Sequence, residues 1–193
     1  ILELSSIVND FTVMHDTRDY DGSSFQRQME IRTQFRNTLN SVSLTNRSYA
    51  GGEIWSQTQK IAGVMSNISG GTLESSAFLQ QAMNAERSFQ FLCCAPLESS
   101  TADRKLHYLI FCSKILSGSN YYAPAGCALF AFSESSFYRS VFSSMQNDKE
   151  IYLATTGGQI LSHSDKQLLA AQQPHRVRPV RRALGIPLCL VVD

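Results

Sequence analysis

The sequence is poor in charge. Asp, Glu, Lys and Arg make up 17% of its 193 residues, and the formal net charge is +1. A balance so near neutral provides no field for a nucleic-acid backbone or an anionic membrane, so nucleic acid is not an expected partner. No apolar run approaches the roughly 18–20 residues that a membrane-crossing helix needs. Cysteine is limited to five, at 93, 94, 112, 127 and 189. None of them has C-x-x-C spacing or a histidine in zinc-finger register, so a metal site is not expected. Cys112 and Cys127 sit in apolar runs, where buried thiols are the commoner reading. A disulfide from Cys93 or Cys94 to Cys112 or Cys127 is the alternative, and it would need an oxidising compartment.

The signatures of catalysis and of cofactor binding are missing as well. There is no G-x-S-x-G elbow, no H-E-x-x-H, no phosphate-binding G-x-x-x-x-G-K-[ST], no G-x-G-x-x-G and no EF-hand loop. Four histidines are present. The cluster that superficially suggests acid–base work is His163-Ser164-Asp165, whose first and last members share a strand face. No nucleophile accompanies them, and Asp165 is well placed to cap a short helix over Lys166 to Ala170. This domain is not expected to be an enzyme, and no cofactor is implied. Two N-x-[ST] sequons, at Asn46 and Asn67, carry little weight in a serine-rich chain.

What is present is a globular composition, 43% hydrophobic, in a chain long enough to bury a full core. Its organising stretch is Gly126 to Leu169. Gly126 to Phe132 is an unbroken apolar or small run, as in a strand covered on both faces. Ser133, or Ser136, caps a helix on which Phe137, Tyr138, Val141, Phe142 and Met145 recur at helical spacing. The helix is expected to end at Asn147-Asp148-Lys149. Ile151 and Leu153, then Ile160 and Ser162, alternate on either side of Thr155-Thr156-Gly157-Gly158, which predicts a hairpin.

Earlier in the chain, Leu4, Ile7, Val8, Phe11 and Met14 form one amphipathic helix, and Asp16 to Ser24 interrupts it as a loop or kink. A second helix carries Phe25, Met29, Arg32, Phe35, Leu39 and Val42 at period 3.6 for about five turns. Ser43 to Arg47 is a possible first strand. Tyr49 to Glu53 would then be the turn into Ile54-Trp55-Ser56, giving a first hairpin from SVSLTNRS and EIWSQTQ. Residues 57–69 fit a helix as an alternative. A helix is predicted over Leu73 to Phe89 and a strand over Phe89 to Ala95. Pro96 to Lys105 reads as a turn, Leu106 to Leu116 as a strong strand, and Gly118 to Asn120 as a turn. The segment Gln172 to Arg182, with His175 and four arginines, reads as a solvated basic loop before a last strand at Gly185 to Val192. Helices grouped ahead of antiparallel strands make the class α+β.

The order of apolar strand, Ser-Glu, amphipathic helix and then IYLATTGGQILSHSD resembles the extracellular Cache sensor domains of bacterial transmembrane receptors. The likeness is nearest to those of YesM-type sensor histidine kinases. It extends over about 60 residues, from Leu106 to Leu169, and is architectural elsewhere. It implies a long N-terminal helix packed on a central antiparallel sheet flanked by helices, a Cache or PAS-like fold. A helical stalk would occupy 1–44 and the sensor core 45–193. It implies a ligand-sensing domain at the extracellular face of the membrane, anchored by helices on both sides. The opening at Ile1-Leu2-Glu3 suits a domain cut from a longer chain.

Cache domains hold small molecules with aromatic side chains, a cation for a carboxylate and an acid for an amine. The suppliers here would be Trp55, Tyr108, Lys114, Tyr121, Tyr122 and Asp165, for an unknown small-molecule or peptide ligand. The Arg-x-x-x-Trp and Tyr…Asp pattern of amino-acid-binding members is absent in register. The apolar stripe on residues 25–42 would transmit the signal and offers a seam for a homodimer. Two other classes compete: a secreted or surface adhesion domain without signalling output, and a small hydrolase with a His or Cys cluster in a deep pocket.

Overall fold

The computed structural model describes residues 7–65, 76–84, 89–99, 102–117, 120–142, 151–155, 159–169 and 188–192. Helix α1 (Phe11–Asp19) starts at Asp10, whose carboxylate accepts from the Thr12 and Val13 amides at 2.8 and 3.3 Å, a side-chain N-cap. A 3-10 turn (Tyr20–Gly22) and the Ser24 cap lead into the 21-residue helix α2 (Phe25–Thr45). The interruption expected at Asp16 to Ser24 is therefore confined to the end of that stretch, since Asp16 to Asp19 are still helical. Arg27 holds the buried Asp16 carboxylate at 2.7 Å and pins the two helices together.

The buried face of α2 is Ile31, Phe35, Leu39 and Val42, at successive helical turns. This corrects the sequence reading, which placed Phe25, Met29 and Arg32 on the stripe. Phe25 is 77% and Met29 45% exposed. Ile31, Phe35, Leu39 and Val42 are consumed inside the monomer's own core, while Phe25 and Met29 stay on the surface.

Two antiparallel sheets follow. The larger has the order β2-β1-β5-β4-β3, built from β1 (Tyr49–Ser56), β2 (Lys60–Met65), β3 (Phe89–Ser99), β4 (Ala102–Ser117) and β5 (Asn120–Ser133). The smaller has the order β7-β6-β8, from β6 (Ile151–Thr155), β7 (Ile160–Ser162) and β8 (Leu188–Val192). The α+β class with a long helix on an antiparallel sheet holds. The hairpin of β6 and β7 also forms as expected, with Leu153 opposite Ser162.

The first hairpin is shifted by one strand from its expected place. Ser43 to Thr45 complete α2, Tyr49 to Glu53 are strand and not turn, and β2 replaces the alternative helix over 57–69. The Gly51-Gly52 pair, read as a turn signal, serves close packing instead. A Cβ on Gly52 would lie 2.6 Å from the Tyr49 hydroxyl and 3.1 Å from the Leu129 carbonyl. The turn falls at Gln57 to Gln59, where the Ser56 amide donates to the Gln59 carbonyl at 2.9 Å and Asp21 accepts from the Ser56 hydroxyl and the Gln59 amide group.

Pro96 to Lys105 is likewise mostly strand. Pro96 pairs with His107 on β3, an edge strand, where a missing amide donor is tolerated. Of the turn expected at Gly118 to Asn120, Asn120 already belongs to β5 and faces Ser117, and the other two residues lie outside the described ones. The helix predicted over Leu73 to Phe89 is present as α3 (Ser76–Met83). The end of the organising helix at Asn147 to Lys149, its Met145, and the basic segment 175–182 lie outside the described residues.

Strand β5 is the centre, with β1 on one side and β4 on the other. Helices α1 and α2 cover one face, through Ile31, Phe35 and Leu39 against Ile54, Leu109 and Phe130. The opposite face carries Cys112, Cys127 and Leu129 beneath Leu79, Ala82 and Met83 of α3. Strand β5 runs directly into α4 (Glu134–Phe142), with the Ser133 hydroxyl capping the Ser136 amide at 3.3 Å.

Glu134 is fully buried and joins the two sheets. It accepts from the Ser162 hydroxyl at 2.7 Å and the His163 amide at 3.3 Å, and it pairs with Lys166 at 2.8 Å. The Lys166 ammonium also sits 4.7 Å above the Tyr138 ring.

Two pairs of substitutions test this architecture. Gly126→Ala would put a Cβ 2.0 Å from the Trp55 carbonyl oxygen, a backbone atom that cannot swing away. It should cost about 3 kcal/mol or more by overpacking and lower the urea midpoint, whereas Gly22→Ala, with open space around it, should change stability by less than about 0.5 kcal/mol. Lys166→Ala strands the buried Glu134 carboxylate and should cost about 3 kcal/mol. Glu134→Gln, which keeps an acceptor for Ser162, should cost clearly less in the same denaturation series.

Candidate functional site

The sheet face turned away from α2 is the candidate site. Strand alternation puts Glu53 and Trp55 of β1 on it together. Register then carries the row across, with Trp55 opposite Cys127 and Cys127 opposite Lys114. At about 4.8 Å per strand step, the Trp55 and Lys114 backbones are about 10 Å apart, with the fully buried Cys127 between them beneath α3 and Trp55 packed at the rim of that cluster. On the other flank Trp55 pairs with Lys60 of β2.

Glu53 is the electrostatic centre. Its residue is 1% exposed. One carboxylate oxygen accepts from the Trp55 indole nitrogen at 3.0 Å, and the other faces the Lys60 ammonium at 3.5 Å. Lys60 in turn lies 5.6 Å over the Trp55 ring. A carboxylate removed from water in this way needs such partners. At the β2 edge Glu53 also borders a cavity of about 370 Å³, which Lys60, Gly63 and Met65 line on the hairpin side and Arg32 and Arg36 on the α2 side. Lys114 is half-buried and has no acidic partner among the described residues. These groups supply an acid, two ammonium groups and an indole within one surface, enough to orient a small polar molecule.

Of the six residues named from sequence, Trp55 and Lys114 thus share one row. Tyr108 is on the same face but buried with Ala50, Ile110 and Ala131, six residues along β4 from Lys114 and so about 20 Å away. Tyr121 and Tyr122 belong to the start of β5, and their side chains lie outside the described ones. Asp165 is exposed just after β7 of the smaller sheet, where its carboxylate accepts from the Gln167 amide at 2.9 Å and caps the 3-10 turn Lys166–Leu168. That capping role was anticipated.

Glu53 and Lys60 were missed. Reading Tyr49 to Glu53 as a turn hid the alternation by which Glu53 and Trp55 share a face. His163 is 1% exposed, and its Nδ1 accepts from the Asp165 amide at 2.9 Å. It is a structural histidine at the join between the sheets.

Cys93, Cys94, Cys112 and Cys127 are thiols. The disulfide alternative fails on geometry: Cys94 packs with the α2-side core and Cys112 with the opposite face. Cys93 faces Ile110, two residues along β4 from Cys112. Burial pushes the Cys93 thiol up to about 11 and those of Cys94 and Cys127 up to about 12.

No family model matches the chain, and no curated protein matches it by sequence. Solved structures do match it in shape. The ligand-binding domain of the Pseudomonas fluorescens chemoreceptor CtaA, in complex with L-valine, aligns with 100% of this chain and 99% of its own at TM-score 0.60 and 12% identity. The ligand-binding domain of the Pseudomonas aeruginosa PAO1 amino acid chemoreceptor PctC, in complex with GABA, covers 98% of each chain at TM-score 0.56 and 13% identity. The periplasmic sensory domain of the Campylobacter jejuni chemoreceptor Tlp1 covers 91% of this chain and 74% of its own at TM-score 0.54 and 9% identity. The chain therefore has the Cache-like fold of bacterial chemoreceptor sensor domains. At these identities the likeness is one of fold.

The thiols yield a direct check. Iodoacetamide at pH 8 should leave Cys94 and Cys127 unmodified in the folded chain and alkylate them in urea. Because folding raises these pKa values, stability is full below the ordinary thiol value of 9.0 and falls as pH climbs from there toward 12, a loss visible in urea midpoints measured from pH 8 to 10.

Proposed function

We propose that this chain is the extracellular ligand-sensing domain of a membrane-anchored bacterial receptor, with its ligand seated on the sheet face that carries Glu53, Trp55 and Lys114. The observation that carries the reading is the placement of charge. A sheet whose only task was to fold would keep that face apolar, yet it holds a buried carboxylate, an indole bound to it and a half-buried ammonium with no acid among the described residues. The solved domains of this fold include complexes with GABA and L-valine, which supports a small polar ligand here.

Signalling follows from packing. Helices α1 and α2 on one face, and the ligand beside α3 on the other, share β1, β4 and β5, so a ligand that favours one arrangement of the strands shifts α2, the main helix of the stalk proposed for residues 1–44. Only a difference in affinity between the two arrangements moves that equilibrium. The phrase IYLATTGGQILSHSD supports a sensor histidine kinase of the YesM type as the parent, and the neighbours in fold support a chemoreceptor. The cytoplasmic module of the parent gene decides between these outputs.

A thermal-shift panel of amino acids, organic acids, sugars, short peptides and nucleobases tests the proposal. A ligand at a hundred times its Kd should stabilise the domain by about 2.7 kcal/mol, a rise of a few degrees. Trp55→Ala and Lys114→Ala should each abolish the shift while the free domain still melts cooperatively. Silence across the whole panel would move the assignment to a surface adhesion domain.

A further inference from the structure

We propose that the cavity at the β2 edge is an oxyanion site in its own right, in which Arg32 and Arg36 of α2 grip the carboxylate or phosphate of a small anion. The inference goes beyond the sensing reading above, because this cavity is walled by α2 whereas the Trp55–Lys114 row lies on the other face of the sheet.

The cavity has two walls. One is the hairpin wall of Glu53, Lys60, Gly63 and Met65, and the other is Arg32 and Arg36, four residues apart on α2. That spacing stacks the two arginines on one helix face, about 6 Å apart. Like charges at this spacing repel, and nothing on the helix relieves them: one turn away in either direction stand Gln28, Met29, Thr33, Phe35, Leu39 and Asn40.

Arg32 is held in place. Its Nε donates to the Tyr20 hydroxyl, and its guanidinium lies 5.7 Å over the Tyr20 ring. Its two terminal nitrogens, and the whole fork of Arg36, make no hydrogen bond or ion pair among the described residues. Glu53, the one acid in the lining, is already engaged by Lys60 and Trp55. The floor is apolar, Ile61 and Ala62 being each 3% exposed, so an anion entering there exchanges water for fixed donors over a weakly screening surface.

Guanidinium forks bind carboxylate and phosphate bidentately, which an ammonium cannot do. A pre-positioned arginine, a second arginine one turn on and a neutralised acid leave, among the described residues, a site with unmatched positive charge. A small oxyanion completes it.

The test is calorimetric titration of the 193-residue chain with succinate and with inorganic phosphate, at constant ionic strength with chloride as the control. Saturable binding of either, weakened at least about tenfold by Arg36→Ala and less by Arg36→Lys, supports the site. Succinate binding alone identifies a carboxylate ligand, and phosphate binding alone a phosphorylated one. Arg36 is exposed, so its variants should fold, and an unchanged melting temperature verifies this. Anion binding that survives Arg36→Ala overturns the proposal. So does failure of both anions beside a panel ligand that is lost in Trp55→Ala, an outcome that leaves the sensing function standing. Failure of both anions and of the panel overturns both readings.

Discussion

Everything in this domain is placed by the burial of β5 on both faces. Cys127, Ala128, Leu129, Phe130 and Ala131 are each completely inaccessible to solvent. Their alternation gives Ala128 and Phe130 to the α2 side and Cys127 and Leu129 to the α3 side. A strand so enclosed must satisfy all its backbone groups through neighbours, because no water reaches them. Strands β1 and β4 supply that pairing along its length. Gly126 permits the approach of the Trp55 backbone at one end, and Ser133 turns the other end straight into α4.

The continuity of β5 with α4 has a mechanical consequence. Glu134, the first residue after the strand, is clamped by Ser162 and Lys166, in and just after β7. A displacement of β5 is therefore felt in the smaller sheet without passing through a loose linker. The candidate ligand surface abuts the same strand through Trp55 and Lys114, and α2 lies against its other face. The candidate surface, α2 and the smaller sheet thus all touch β5 or the residue that follows it.

Much of the fold was legible because its signals are local. The apolar run Gly126 to Phe132, the Ser133 cap, the β6–β7 hairpin and the Asp165 cap are each set by a few adjacent residues, and each formed where expected. The errors in placing turns share one cause. Gly51-Gly52 and the Pro96 to Lys105 stretch carry turn chemistry, but long-range pairing with β5 and β4 outweighs it. In β1 the glycines serve close approach to Tyr49 and Val64. The α2 stripe was misjudged in angle: at 3.6 residues per turn Phe25 and Met29 lie roughly 80–120° round the helix from Phe35, and they are exposed.

For the site, residue type was readable and company was not. An indole at 55 and a cation at 114 could be named as ligand suppliers from chemistry alone, yet their distance is set by the register of three strands. The pairing of Glu53 with Lys60 waits on where the first hairpin turns, and the facing of Arg32 and Arg36 onto β2 on how α2 lies across the sheet. The sequence by itself determined the class of fold, the central strand, the caps and the second hairpin, since periodicity and capping depend on neighbours in the chain. Only the tertiary structure decided which charges meet. Strand register and helix docking are fixed by burying the whole core at once, and no local window of residues contains that information.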